Sequence, residues 1–251
     1  MNNQSQDDTI LVRQEGGKKL AGTLQKLIQV VHPGMTLKEL DMIAENLLRE
    51  TGGIPAFKGF DGFPGSICVS LNDGLVHGVP SDDTISLGDV LSIDIGLIWK
   101  GYYSDMAKTV IVGGTKAADD RARRFLQAGE QALDSAISKA LVGNHVGDIS
   151  EAMQKVVESS GYAVSRMYTG HGIGKELHTE PAIFCYGESG TGLKLKENTY
   201  LAIEVIYAEH NARSVTDPTD GWTVRTCDGG LGGLFEHTIV VSAKGPLVLT
   251  K

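Results

Sequence analysis

Leu91-Ser-Ile-Asp94-Ile-Gly-Leu97-Ile-Trp99-Lys-Gly101-Tyr-Tyr-Ser-Asp105-Met-Ala-Lys-Thr-Val-Ile-Val112 reads as two strands joined by a short turn. Leu91, Ile93, Ile95 and Leu97 alternate with Ser92, Asp94 and Gly96, the period of a strand with one packed face. Asp94 therefore points away from the side on which the aliphatic residues pack. Residues 102–112 are strand-like too, and the link around Trp99, Lys100 and Gly101 is short enough for a hairpin. Two registers are open. A turn centred between Trp99 and Lys100 sets Asp94 opposite Asp105; a turn at Lys100-Gly101 sets Asp94 opposite Ala107 and leaves Asp105 a diagonal neighbour on the same face. Both bring the carboxylates together. Like charges across a ladder are destabilising, and a buried pair forces one member to stay protonated. A cation between them removes both problems.

Two more acids break apolar strands in the same way: Glu204 within Tyr200-Leu-Ala-Ile-Glu204-Val-Ile, and Glu236 within Gly233-Leu-Phe-Glu236-His-Thr-Ile-Val-Val. A carboxylate in such a strand costs several kcal/mol to desolvate unless it is paired or metal-bound, and few cations lie nearby in sequence. His171 and His178 occur in Gly170-His-Gly-Ile-Gly-Lys-Glu-Leu-His178-Thr-Glu-Pro181, where Gly170, Gly172 and Gly174 would permit a backbone turn that aims an imidazole inward. His77 lies on a loop after the strand formed by Ile67, Val69 and Leu71. Four carboxylates and an imidazole suit a pair of divalent ions such as Mn, Fe, Co or Zn, and a thiolate-free donor set argues against a structural zinc site.

Working outward, Leu20, Leu24, Leu27, Ile28 and Val31 recur at helical spacing, as do Leu37, Leu40, Ile43, Ala44, Leu47 and Leu48. The second helix opens on Thr36-x-x-Glu39, a capping box. A long helix is expected over residues 125–141, and another beginning at Asp148. Laying Gly34 to Gly52 over Gly143 to Gly161, an offset of 109, matches Glu39 with Asp148 and Leu40 with Ile149. Asp94 falls over Glu204 at 110, and His77-x-x-Pro80 over His178-x-x-Pro181 at 101. The expected organisation is one catalytic domain over residues 1–251, with a short polar segment at about 1–10 and an internal duplication of α-then-β halves meeting near 115–125. A site shared between the halves follows.

Acidic residues outnumber basic ones 31 to 23, for a net charge of −8, which disfavours a phosphate backbone as ligand. No direct role on nucleic acid is expected. Cys68, Cys185 and Cys227 form no CxxC pair, the start lacks the basic head and apolar stretch of a secretory signal, and no apolar run approaches the roughly 18 residues of a membrane span. Reduced thiols in a cytoplasmic protein without a membrane partner are expected. Glycine, at 32 of 251 residues, is roughly twice its ordinary share, so many tight turns are expected.

Five sets of residues together resemble the methionine aminopeptidases, in their short bacterial-type form. They are Asn72-Asp-Gly-Leu-Val-His-Gly-Val-Pro80; Ser92-Ile-Asp-Ile95 with Ser104-Asp-Met-Ala-Lys108; Gly170-His-Gly-Ile-Gly174 with His178-Thr-Glu-Pro181; Ala202-Ile-Glu204; and Asp220-Gly-Trp-Thr-Val224 leading to Phe235-Glu-His-Thr238. The 26 positions from His178 to Glu204 leave no room for the helical subdomain of the family's second type, which points to type I. The resemblance implies an α/β (α+β) pita-bread fold, two pseudo-symmetric halves of antiparallel strands backed by helices, with a metal site between them. It also implies two divalent ions (Co, Mn, Fe, Zn or Ni) held by Asp94, Asp105, His171, Glu204 and Glu236, with Asp105 and Glu236 bridging. Water between two such ions is a nucleophile near neutral pH, because the metals lower its pKa. By the same resemblance His178 polarises the scissile carbonyl, His77 meets the scissile amide nitrogen, and Glu204 is a proton acceptor as well as a ligand. The methionine pocket maps to Phe57, Phe60, Phe63, Cys68, Leu177 and Trp222, apolar and soft groups suited to a thioether.

The implied activity is removal of the initiator methionine from nascent polypeptides with a small second residue, by a monomer in transient association with the ribosome. Val205 stands where a proline usually follows the glutamate, Leu234 where a glutamine is common, and Phe57 and Leu177 where a cysteine and a phenylalanine are. These departures bear on pocket shape and on ligand orientation rather than on reaction class. An Xaa-Pro aminopeptidase or prolidase shares the fold and ligand types, but usually carries a separate N-terminal domain for which this chain has no room. A non-catalytic binding protein of the same fold would be expected to have lost ligands, and none is lost here.

Overall fold

The computed structural model describes residues 3–114, 117 and 119–251. Helix α1 (Asn3–Val30) leads into α2 (Leu37–Glu50), followed by β1 (Ile54–Pro55), β2 (Ile67–Leu71), β3 (Gly74–Val76), β4 (Val90–Trp99) and β5 (Tyr102–Ile111). Then come α3 (Asp120–Ser138), α4 (Val146–Ser159), β6 (Ala163–Val164), β7 (Thr169–Gly172) and β8 (Thr179–Phe184). The chain closes with β9 (Tyr200–Ala208), β10 (Ser214–Thr216), β11 (Val224–Thr226), β12 (Gly232–Ser242) and β13 (Gly245–Val248). The main sheet runs β1-β4-β5-β12-β9-β7-β8, with β2 also on β4, β6 on β9 and β13 on β12; β10-β11-β3 form a small second sheet.

The hairpin takes the second of the two open registers. Trp99 pairs with Tyr102 and Asp94 with Ala107, while Asp105 faces Gly96. Lys100 and Gly101, the two turn residues, both have positive φ (47° and 81°), the combination that matches the twist of a two-residue hairpin.

Helix α1 starts inside the stretch read as a polar lead-in, because nothing between Asn3 and Glu15 is a glycine or proline that would stop it; residues 1 and 2 lie outside the described residues. Helix α3 starts at Asp120 rather than Phe125, since the Asp119 side chain caps it by accepting the Ala122 N–H at 2.8 Å. It ends at Ser138, leaving Leu141 outside and 39% exposed. Helix α4 begins at Val146, not Asp148. The Asp148 carboxylate instead accepts the His145 N–H at 2.6 Å, as Glu39 accepts that of Thr36 at 2.8 Å. Both helices have 14 residues, and their ends stand at the offset of 109 read from the sequence. Of the region where the halves were expected to meet, residues 115, 116 and 118 lie outside the described residues.

Alternation decides which face each strand buries. Leu91, Ile93, Ile95 and Leu97 pack with Leu20, Leu24 and Leu27 of α1 and Leu40, Ala44 and Leu48 of α2. Leu201, Ile203 and Val205 pack with Phe125, Ala132 and Leu133 of α3 and Ile149 and Met153 of α4. The helices thus cover one face of the sheet, and Asp94 and Glu204 fall on the other. A side chain at Gly17 of α1 would collide with the Leu249 carbonyl, so glycine is what lets that helix lie so close.

The halves join where β5 meets β12. Only Glu236–Ala107 and His237–Met106 are paired in that ladder, and a threonine from each strand continues it. Thr109 Oγ1 accepts the Leu234 N–H at 2.9 Å and donates to the Leu234 carbonyl at 2.8 Å. Thr238 Oγ1 accepts the Asp105 N–H at 2.8 Å and donates to the Asp105 carbonyl at 2.7 Å. These side chains satisfy backbone groups that burial would otherwise leave unpaired.

Candidate active site

All thirteen residues singled out from the sequence lie on or around one cavity of about 240 Å³. Asp94 reaches it from the middle of β4, opposite Cys68 of β2. Asp105 comes from β5, its backbone clamped by Thr238. Glu204 of β9 and Glu236 of β12 face each other directly across the ladder. His171 comes from β7, opposite Ala202. Phe57, Phe60, Phe63, Cys68, Leu177 and Trp222 line the same cavity with His77 and His178, and most of its rings meet edge to face: Phe63 on Trp222 at 5.3 Å, Phe60 on His178 at 5.3 Å, and His171 on His178 at 4.4 Å.

The glycines around His171 act differently from expectation. Gly170, Gly172 and Gly174 are not left-handed, so they do not make the proposed turn. Gly170 and Gly172 lie within β7, where a Cβ on Gly170 would sit 2.5 Å from the Ala202 carbonyl and one on Gly172 would collide with Glu180. Their role is close approach of strands; the pairing of β7 with β8 shifts register between Gly170 and Gly172, and His171, between them, stands opposite Ala202 of β9.

The electrostatics of the cluster are unbalanced by protein groups alone. Asp94 Oδ1, Asp105 Oδ1 and Glu236 Oε1 are buried and have no hydrogen-bond partner. Burial pushes the Asp94 carboxyl up to about 7. Burial also raises Asp105 well above the ordinary carboxylate range, helped by the charges of Asp94 and Glu204. Glu204 is raised by burial and then Asp94, and Glu236 by burial and then Asp105. His171 moves the other way, to about 4, because burial disfavours the imidazolium. Its Nδ1 lies 3.0 Å from the Gly172 carbonyl, which places the proton there and leaves the Nε2 lone pair, 3.6 Å from Glu204 Oε1, free to bind a cation. Ligand atoms of Asp105, His171 and Glu236 lie within 4.8 Å of one another. Unpartnered buried carboxylate oxygens around a neutral imidazole fit a divalent metal.

The sequence reading missed three residues here. Asp61 and Val76 line the cavity, and Tyr168 stands edge-on to His77 at 5.5 Å. Asp61 between two pocket phenylalanines, and Val76 just before His77, were visible cues; Tyr168 had none. A second cavity, of about 580 Å³, shares His77, His171, His178 and Glu204 with the first and continues past Met167, Tyr168 and Ile206. The site is therefore bordered by two cavities, one lined by the aromatic residues and a larger one past Tyr168.

The profile of metallopeptidase family M24 matches residues 14–243. Methionine aminopeptidase 1 of Bacillus subtilis is 40% identical over 240 residues, covering 96% of this chain and 95% of the relative. The chain belongs to the methionine aminopeptidases of metallopeptidase family M24. The crystal structure of methionine aminopeptidase from Rickettsia prowazekii superposes with a TM-score of 0.94 at 35% identity, covering 98% of both chains, so the methionine aminopeptidase fold, the pita bread, spans this chain end to end. Prolidase from Pyrococcus furiosus shares the fold at a TM-score of 0.76 and 23% identity, but this chain covers only 64% of it.

Proposed function

We propose that this chain is a metal-dependent aminopeptidase that hydrolyses the first peptide bond of polypeptides beginning with methionine and followed by a small residue. The observation that carries the reading is the buried set of unpartnered carboxylate oxygens in a cavity also lined by Phe57, Phe60, Phe63, Leu177 and Trp222. Asp94, Asp105, His171, Glu204 and Glu236 would hold two divalent ions, with Asp105 and Glu236 shared between them; oxygen donors with one imidazole suit Co, Mn, Fe, Zn or Ni. Bound there, the ions supply a water nucleophile at neutral pH and polarise the carbonyl.

The chain's own residues do the rest. Phe57, Phe60, Phe63, Cys68, Leu177 and Trp222 take the methionine side chain and fix which bond reaches the cluster. His178, neutral because burial lowers its pKa, donates a hydrogen bond to the carbonyl oxygen as charge develops on it. His77, also kept neutral by burial, meets the scissile amide nitrogen, with Tyr168 holding its ring. Glu204, whose carboxyl burial raises, accepts the proton released in the attack and passes it to the leaving amine. We take the whole chain as one catalytic domain made of duplicated halves, acting as a cytoplasmic monomer on nascent chains in transient association with the ribosome. Three free cysteines, and no helix among the described residues long and apolar enough to cross a membrane, agree with that setting.

The test is to strip the protein with a chelator, restore single divalent metals, and assay methionine release from Met-Ala peptides beside cleavage of an Xaa-Pro peptide. Methionine release restored by metal is expected. Cleavage of only the Xaa-Pro peptide would replace the reading with a prolidase-like one, and no turnover with any metal would favour a binding protein.

A further inference from the structure

Arg13, in the first half of α1, is 8% exposed, and the influences on its charged state are burial, Tyr200 and Tyr102, with no carboxylate partner among the described residues. Its guanidinium is sandwiched between two rings, 3.7 Å from the centre of Tyr200 and 4.5 Å from that of Tyr102. Its NH1 donates to the Ile173 carbonyl at 3.1 Å, and its Nε is buried without a partner. A buried cation without a counter-ion is costly, and an apolar side chain of similar shape would fill the same space more stably. The one thing only a planar cation provides here is a clamp on the segment after His171.

Ile173 is held from both sides: its carbonyl accepts from Arg13, and its N–H donates at 3.2 Å to the carbonyl of Tyr200, the residue on which Arg13 stacks. Next to it, the Gly174 carbonyl accepts the Tyr103 N–H at 2.9 Å. Tyr102 and Tyr103 open β5 in the first half and Tyr200 opens β9 in the second, so Arg13 ties both halves to one loop. That loop runs from Gly172, the end of β7, to His178, just before β8. Its Ile173 and Leu177 pack with Phe57, Phe63 and Cys68 in the pocket wall.

We propose that Arg13 is a positioning residue for hydrolysis: by clamping Ile173 between the tyrosines it sets where the loop delivers His178 to the scissile carbonyl. The proposal rests on the aminopeptidase reading given above. A remote change that displaces a reacting group by about 1 Å can lower turnover about 100-fold.

The experiment uses the metal-loaded enzyme and a Met-Ala peptide. Arg13→Ala should lose about 10- to 100-fold in kcat/KM, mostly in kcat, with metal content unchanged by elemental analysis. Millimolar methylguanidinium should restore part of the loss. Arg13→Lys, which keeps stem and charge but not the planar fork, should show a similar loss, and it carries the comparison if Arg13→Ala does not fold. In a His178→Ala background either substitution should add no more than about twofold. Wild-type kcat in both variants, a loss that follows metal content, or an undiminished further loss in the His178→Ala background would overturn the proposal. Absence of methionine release from the unmutated loaded enzyme would instead remove the functional reading beneath it.

Discussion

The first half of the chain presents Asp94 on β4 opposite Ala107 of β5, whereas the second presents Glu204 on β9 opposite Glu236 of β12. Asp94 and Glu204 are equivalent at an offset of 110, and so are Ser92 and Ala202. Across Ser92 stands Ser70; across Ala202 stands His171. The matching position thus carries a hydroxyl in one half and, in the other, the one imidazole of the five donors proposed above. Another step along, Gly96 leaves room for Phe57, whose ring would lie 2.7 Å from a Cβ there, while its counterpart Ile206 lines the second cavity. The strand pattern recurs in the two halves, with different side chains at the matching positions. The first half lines the cavity with Phe57, Phe60, Phe63, Cys68 and His77, and the second adds Leu177, Trp222, His171 and His178.

The largest expected effect breaks the contribution of the first half. Asp105→Ala should lose metal binding and turnover together, the latter on the order of 1,000-fold, because a donor shared by both ions is gone. Calorimetric titration with Mn or Co and a peptide assay check this. Stripped of metal, the variant should melt at or above the wild type, since a buried carboxyl without a partner for its Oδ1 has been removed. Metal binding unchanged in this variant would take Asp105 out of the ligand set.

Next comes the contribution of the second half. His178→Ala should keep metal affinity and lose about 100-fold in kcat, and a variant with wild-type rate would refute its assigned role.

The seam offers a finer comparison, because Thr109 and Thr238 make mirror-related bonds across it. Thr109→Val and Thr238→Val should each destabilise by about 2 kcal/mol, by leaving buried backbone groups unpaired. Only Thr238→Val should also lower turnover, since only Thr238 holds the backbone of Asp105. Equal activity losses would show that the seam does not orient the cluster.

The smallest effect is in pH dependence. The raised carboxyl pKa values mean that the folded, metal-free protein keeps protons the unfolded chain has released, so this stability is lost as pH rises. Asp94's share is lost as pH rises through about 7, and Asp105, Glu204 and Glu236 are shifted in the same direction. His171 and His237, lowered to about 4, act oppositely between about 4 and 6.5, and their contribution is complete above that. Between about pH 6 and 7.5, across the raised Asp94 value, the stripped protein should therefore lose about 2 °C in melting temperature relative to the loaded one. Parallel melting curves would contradict the carboxyl shifts.

Much of this was legible because it is periodic and local. The alternation around Asp94 and the capping box at Thr36 depend on neighbours a few residues apart, and both appear where the spacing puts them. The five donors could be picked out singly because each interrupts an apolar pattern or sits in a glycine-rich run. Tyr168 and Arg13 interrupt nothing, and their partners lie far off in sequence: 91 residues to His77 and 160 to Ile173.

By itself, then, the sequence determined the strands, the helices and a list of residues with metal-binding chemistry, since each follows from side-chain periodicity and donor type. Tertiary structure alone decided that Asp94 faces Ala107, that the glycines beside His171 serve close packing rather than a turn, and that Thr238 and Arg13 hold the site's framework. Those outcomes depend on which backbones meet across the seam and how closely, and no local pattern encodes that distance.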